Sequence, residues 1–110
     1  MKRHVLAIDL KPDVHLIDEY DRAHLEVYPE VLQNLRDCGV VNMSIYRVEN
    51  RLTMIMDADD TFSFDLKHEK DKGNKRLSEW ESMMSKLQIP IEGTSVKYHT
   101  WAPMKEVFTL

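Results

Sequence analysis

The sequence predicts an α+β fold of ferredoxin-like βαββαβ order, a four-stranded antiparallel sheet with two helices on one face. Three observations predict it. Residues 3–10 alternate as a strand does, with the larger aliphatic side chains Leu6, Ile8 and Leu10 all on one face. Two later strand-like runs are joined only by Glu49-Asn50-Arg51, the short polar connection an antiparallel hairpin requires. The intervals before and after that hairpin both repeat apolar residues at helical spacing. That alternation is the ferredoxin-like split pattern.

The elements follow in order. In the first strand, Leu6, Ile8 and Leu10 share one face, with Val5, Ala7 and Asp9 on the other. Lys11-Pro12-Asp13 ends it, and Asp13 is placed to cap the next helix by accepting from its free N–H groups. Leu16, Tyr20, Ala23, Val27 and Val31 carry that helix. Pro29 cannot donate inside it, so a kink or restart is expected there. Cys38-Gly39 closes the segment, with glycine where a left-handed residue is usual. Val40 to Val48 and Leu52 to Asp57 are the hairpin strands. A second helical region spans Phe62 to Leu87, interrupted near Gly73-Asn74, with Leu77, Trp80, Met83, Met84 and Leu87 on its apolar side. Gln88 to Tyr98, holding Pro90 and Gly93, is a long connection and a candidate loop over a site. Met104 to Leu110 is the expected last strand.

At 110 residues the chain is expected to be one domain, 1–110, with a core that a second copy would extend. Two helices cover one side of the sheet, yet the strands carry bulk on both: Met43 and Ile45 against Tyr46 and Val48, then Leu52, Met54 and Met56 against Ile55. Sheet-to-sheet dimerisation into a dimeric α/β barrel is therefore expected. A net charge of −4 argues against a nucleic-acid footprint. Lys67 to Arg76 also contains Glu69 and Asp71 and is read as a solvated helix face. The single Cys38 fits a reducing compartment and a structural role. No run reaches membrane-spanning length and Met1-Lys2-Arg3-His4 leads into a strand, so the protein is expected to be cytoplasmic. The five histidines and lone cysteine make no metal-ligand pattern, and three scattered glycines make no phosphate loop; no metal or cofactor is expected.

The chemistry-bearing stretch is Tyr20-x-x-x-His24-x-x-x-Tyr28-Pro29-Glu30. Tyr20 and His24 lie one helical turn apart and project from one face. Histidine titrates near neutrality, and a phenol stays protonated there. Spacing alone favours reading both as half-buried helix residues with satisfied polar tips. Trp80 is read alone as core, and Glu79 as a solvated neighbour. Asn42 and Tyr46 divide evenly between strand packing and a site role. Trp101 and His99 either shape a rim or pin the loop before the last strand. Dimers of this fold include cofactor-free monooxygenases, small-molecule-binding modules and structural dimers, so fold alone leaves function open.

The same stretch resembles the corresponding helix of the L-rhamnose mutarotase family. The similarity continues through Gly39, Asn42, Ile45-Tyr46 and Trp80 to the closing Glu106-Val107-Phe108-x-Leu110, in order over essentially the whole chain. It implies a homodimer that interconverts anomers of a 6-deoxy-hexose without metal or cofactor. It further implies His24 as the catalytic histidine and Tyr20 as a substrate contact. Two positions depart from the rhamnose pattern: Glu79-Trp80 stands where two adjacent tryptophans are usual, and Met43 where a tyrosine contacts sugar. Both lie where hydroxyl stereochemistry would be read, and a Glu-Trp in this place is similar to L-fucose mutarotases. The implied substrate-binding set is Tyr20, Met43, Glu79 and Trp80.

Mutarotation suits these residues. A proton must reach the ring oxygen while another leaves the anomeric hydroxyl, and a histidine near its own pKa serves in both directions. Trp80 would offer an apolar face to the sugar and its indole N–H as a donor, and Glu79 a second acceptor or proton-transfer group.

Overall fold

In a computed structural model, which describes residues 1–92 and 100–110, the chain folds in the order β1 (Lys2–Leu10), α1 (Val14–Ala23), α2 (Pro29–Asp37), β2 (Val40–Val48), β3 (Arg51–Ala58), α3 (Phe64–Asp71), α4 (Lys75–Ser85), β4 (Gln88–Ile89) and β5 (Ala102–Pro103). The antiparallel sheet runs β2-β3-β1-β4, with β5 also on β1. This is the expected ferredoxin-like arrangement, as an open sheet. No helix among the described residues is long and apolar enough to cross a membrane.

Each local signal has a physical counterpart. Asp13 accepts from the backbone N–H groups of His15 (2.8 Å) and Leu16 (3.2 Å) and starts α1. Pro29 does more than kink the helix. It occupies the first turn of a new one, where its missing N–H costs nothing, so α1 stops at Ala23 and His24 becomes its C-cap. The second helical region divides likewise at Lys72–Asn74, where Asn74 caps α4 by accepting from the Leu77 N–H at 3.2 Å. Two expected helices are therefore four.

The hairpin is tighter than expected. Val48 pairs with Arg51, leaving Glu49-Asn50 as the turn, and Glu49 takes a positive φ of 49°. Asn50 then clamps the end of β1: its Nδ2 donates to the Leu10 carbonyl at 2.9 Å and its carbonyl accepts from the Leu10 N–H at 2.6 Å.

The C-terminal expectation needs correction. The last strand is Ala102–Pro103, paired with Ala7 and Leu6, and Met104 donates one more backbone bond to Val5 at 2.8 Å. Beyond it 104–110 carries no strand. Further pairing would lie beside the exposed Lys2 and Arg3, where a strand buries little. Val107, Phe108 and Leu110 stay open to solvent at 86%, 77% and fully. Gln88–Ile89, expected as connection, instead forms a short strand on Asp9–Leu10. The rest of that connection, 93–99, including the His99 reading, lies outside the described residues.

The helices cover one face of the sheet. Ile8, Leu10 and Leu52 are fully buried there and pack with Tyr20, Trp80, Met84 and Leu87. On the opposite face Tyr46 and Val48 are 62% and 70% exposed. The buried Cys38 caps α2, and Gly39 follows at φ +98°. A Cβ at Gly39 would overlap the Asp59 carboxylate and come within 2.8 Å of the Thr61 hydroxyl. Gly39→Ala therefore combines backbone strain with a clash and is expected to cost about 2–4 kcal/mol. Urea unfolding checks this; an unchanged midpoint would show that the α2–β2 corner relaxes freely.

Candidate active site

The helix layer and the helix-facing side of the sheet enclose a cavity of about 390 Å³, within the range of small-molecule sites. Its floor is apolar: Met43 and Ile45 from β2, Met54 and Met56 from β3. α1 supplies Tyr20, His24 follows it as C-cap, α4 supplies Trp80, and Trp101 closes one side just ahead of β5.

The position of His24 follows from how α1 ends. The last carbonyls of a helix lack intrahelical partners. The His24 ring turns back and its Nδ1 bonds the Tyr20 carbonyl at 2.8 Å. A carbonyl only accepts, so Nδ1 carries the hydrogen of the neutral ring and Nε2 is left as its acceptor. The imidazole lies 4.3 Å from the Tyr20 ring and edge-on to the Trp80 indole at 5.3 Å, centroid to centroid. Tyr28 packs edge-on against the other part of Trp80 at 5.2 Å. The Arg76 guanidinium lies 3.7 Å over the Tyr28 ring and binds Glu79 at 2.7 Å. This cluster ties the α1–α2 break to α4.

Tyr20 is 3% exposed, and burial pushes its phenol above the usual tyrosine range, with the charges of Asp21 and Glu81 adding to the effect. It remains a protonated donor throughout the neutral range.

Of the five expected site residues, the fold brings four together: Tyr20, His24, Met43 and Trp80 all line the cavity. Glu79 is not among them. It lies on the exposed side of α4, paired with Arg76. The carboxylate facing the cavity is Glu81, two residues on. Asn42 and Tyr46 are exposed and line no part of the cavity.

Lys67 to Arg76, expected to be a solvated face, instead builds the polar end of the site. Lys67, His68 and Asp71 line the cavity from α3. The Lys67 ammonium donates to Asp71 Oδ2 at 2.8 Å and to Asn34 Oδ1 of α2 at 3.2 Å. Asp71 Oδ1 is buried and has no hydrogen-bond partner among the described residues. Glu81 lines the cavity at its solvent-exposed rim. Burial raises the pKa of its carboxyl, Lys67 opposes the shift and Asp71 adds to it. The i, i+4 spacing of Lys67 and Asp71 was the available signal for this end, but it reads equally as a surface ion pair. Among the described residues no group of His, Cys, Asp and Glu stands together as metal ligands would.

Comparison with known proteins shows the family. The family model for L-rhamnose mutarotase matches residues 3–110. An L-fucose mutarotase of Xanthomonas campestris pv. campestris is 32% identical, over 100% of this chain and 89% of that protein. A UPF0734 protein of Dictyostelium discoideum is 30% identical over 99% and 90%. In fold, an L-rhamnose mutarotase from Formosa agariphila superposes with a TM-score of 0.71 at 21% identity, over 100% of this chain and 99% of that one. Tetracenomycin F2 cyclase from Streptomyces glaucescens superposes at 0.60 and 12% identity with the same coverage, which speaks for fold alone. By match length and identity, the chain belongs to the L-rhamnose mutarotase family, isomerases that act on the anomers of sugars.

Proposed function

We propose that this chain interconverts the α and β anomers of L-fucose, a 6-deoxy-hexose, by acid–base ring opening at His24. One observation carries the reading: a histidine whose Nδ1 is occupied by the Tyr20 carbonyl, leaving Nε2 as the acceptor in a cavity of monosaccharide size shared with Tyr20 and Trp80. His24 Nε2 takes the proton of the anomeric hydroxyl as the C1–O5 bond breaks. The aldehyde rotates about C1–C2 and O5 attacks the opposite face, while the proton returns to O1. Tyr20 donates a hydrogen bond to a sugar oxygen. Trp80 and the methionine floor take the C–H faces and the 6-methyl group.

Fucose is preferred over rhamnose on two grounds. The chain has Glu79-Trp80 and Met43 where the rhamnose pattern has paired tryptophans and a tyrosine, and the 32%-identical relative is an L-fucose mutarotase. The lone Cys38, buried and free, supports a reducing, cytoplasmic setting.

The working unit is proposed to be a homodimer. The open sheet face carries Tyr46 and Val48, and the C-terminal Val107, Phe108 and Leu110 have no cover in one chain; a second copy would bury both. The native chain should sediment as a dimer and Phe108→Asp as a monomer. Equal dimer masses for both would exclude the tail from the interface.

The activity test is saturation-transfer NMR of α/β exchange with L-fucose, L-rhamnose and a control hexose. Exchange of L-fucose should be accelerated most, and His24→Asn should lower the rate by about 10² or more while sugar binding persists. No acceleration of any sugar would overturn the reading. Tyr20 gives an independent pH signature. Its folded-state pKa lies above the unfolded value, so its contribution to stability is complete below about pH 10 and is lost as pH rises beyond it. In an ultraviolet titration, one tyrosine should ionise late, and Tyr20→Phe should remove that late step.

A further inference from the structure

Opening the ring needs a second proton transfer, at O5, which His24 does not supply while it holds the proton of O1. We propose that Glu81 is that second proton-transfer group, acting on the ring oxygen while His24 acts on the anomeric hydroxyl. The inference rests on the mutarotase reading above.

Placement is the first argument. Neighbouring residues on a helix point about 100° apart. With Trp80 buried against His24, Glu79 and Glu81 diverge to opposite sides, and only Glu81 enters the cavity. Tyr20 and His24, from the α1 segment, line the same cavity. The two groups thus approach a bound sugar from different helical segments, as transfers at two different oxygens of one hemiacetal require.

Its surroundings are the second argument. The charged and titratable groups facing Glu81 are Lys67, Asp71 and His68 from α3, Tyr20 from α1 and His24 beyond it. Lys67, the nearby cation, is already engaged by Asp71 at 2.8 Å and by Asn34. The second Asp71 oxygen is buried without a hydrogen-bond partner among the described residues. Partial desolvation raises the pKa of the rim carboxyl, Lys67 opposes the rise and Asp71 adds to it, with the balance upward.

The step balances. Glu81–COOH gives its proton to O5 as C1–O5 breaks, and His24 Nε2 takes the proton of O1, leaving a carboxylate, an imidazolium and the free aldehyde. On closure the O5 hydroxyl returns its proton to Glu81 as it attacks C1, and His24 returns its own to O1. Both groups end as they began.

The test compares native protein, Glu81→Gln and Glu81→Asp on L-fucose exchange between pH 5 and 9, with circular dichroism confirming fold. A pair that must hold one transferable proton between its members gives a bell-shaped profile. Glu81→Gln should lower kcat by about 10², leave KM within about twofold and remove one limb of the bell. Glu81→Asp, which keeps the acid on a shorter arm, should recover part of the rate and both limbs. A Glu81→Gln rate within about threefold of native would overturn the proposal. So would a slow variant that keeps both limbs, since that marks a structural role. A native protein with no acceleration would instead sink the mutarotase reading, and the proposal with it.

Discussion

The site depends on how α1 is forced to end. Pro29 begins α2, and its ring would clash with the preceding turn of any helix that ran through it, so α1 stops short and leaves its final carbonyls without partners. The His24 ring takes one of them, the Tyr20 carbonyl at 2.8 Å. That bond settles the tautomer of the imidazole, holds it against Tyr20 and turns its edge to Trp80. A continuous helix would place the same ring on an ordinary i, i+4 face, with no backbone acceptor to orient it. The cluster of Arg76, Tyr28 and Glu79 then keeps the break from moving relative to α4. A hydrogen-bonding need at a helix terminus becomes the orientation of an imidazole in the cavity.

The sheet imposes the second constraint. Its helix-facing side is filled by Ile8, Leu10 and Leu52, and its outer side has no layer above it. That outer side is not evenly apolar. Arg3 pairs with Asp57 at 2.8 Å and Arg51 with Asp9 at 2.7 Å, one pair toward each end of the β1–β3 ladder, with Val5, Ala7, Thr53 and Ile55 between them. Ion pairs bracketing an apolar centre suit a face that meets another surface in one register, because a shifted partner would strand a charge against aliphatic groups. The exposed apolar tail after β5 adds to the surface that association would bury.

The parts legible in the sequence were those governed by local rules. Strand alternation, the Asp13 cap, the restart at Pro29 and the left-handed Gly39 each follow from chemistry within a few residues. So does the turn spacing that brings Tyr20 and His24 together. What escaped depends on orientation in space. Glu79 and Glu81 differ by two positions on one helix, and which of them meets the cavity follows from how α4 rolls on the sheet. Lys67 and Asp71 look like any solvated i, i+4 pair until α3 is seen packed over the cavity with Asn34 opposite. The alternation in Met104 to Leu110 reads as a strand, but a strand forms only where an edge is worth pairing with, and beside Lys2 and Arg3 it is not.

The polar end of the cavity also bears on which class of protein this is. A buried carboxylate oxygen without a partner costs about 1–3 kcal/mol, and Asp71 Oδ1 is such an atom. Glu81 at the cavity rim adds repulsion between two carboxyl groups, which Lys67 opposes. A dimer serving only as a scaffold gains nothing from these costs. Unsatisfied, mutually opposed titratable groups in a cavity persist where a ligand completes them or a proton must be moved. The same cavity is lined by a histidine oriented by the backbone. A costly acidic end and an oriented imidazole in one cavity are more than packing alone requires.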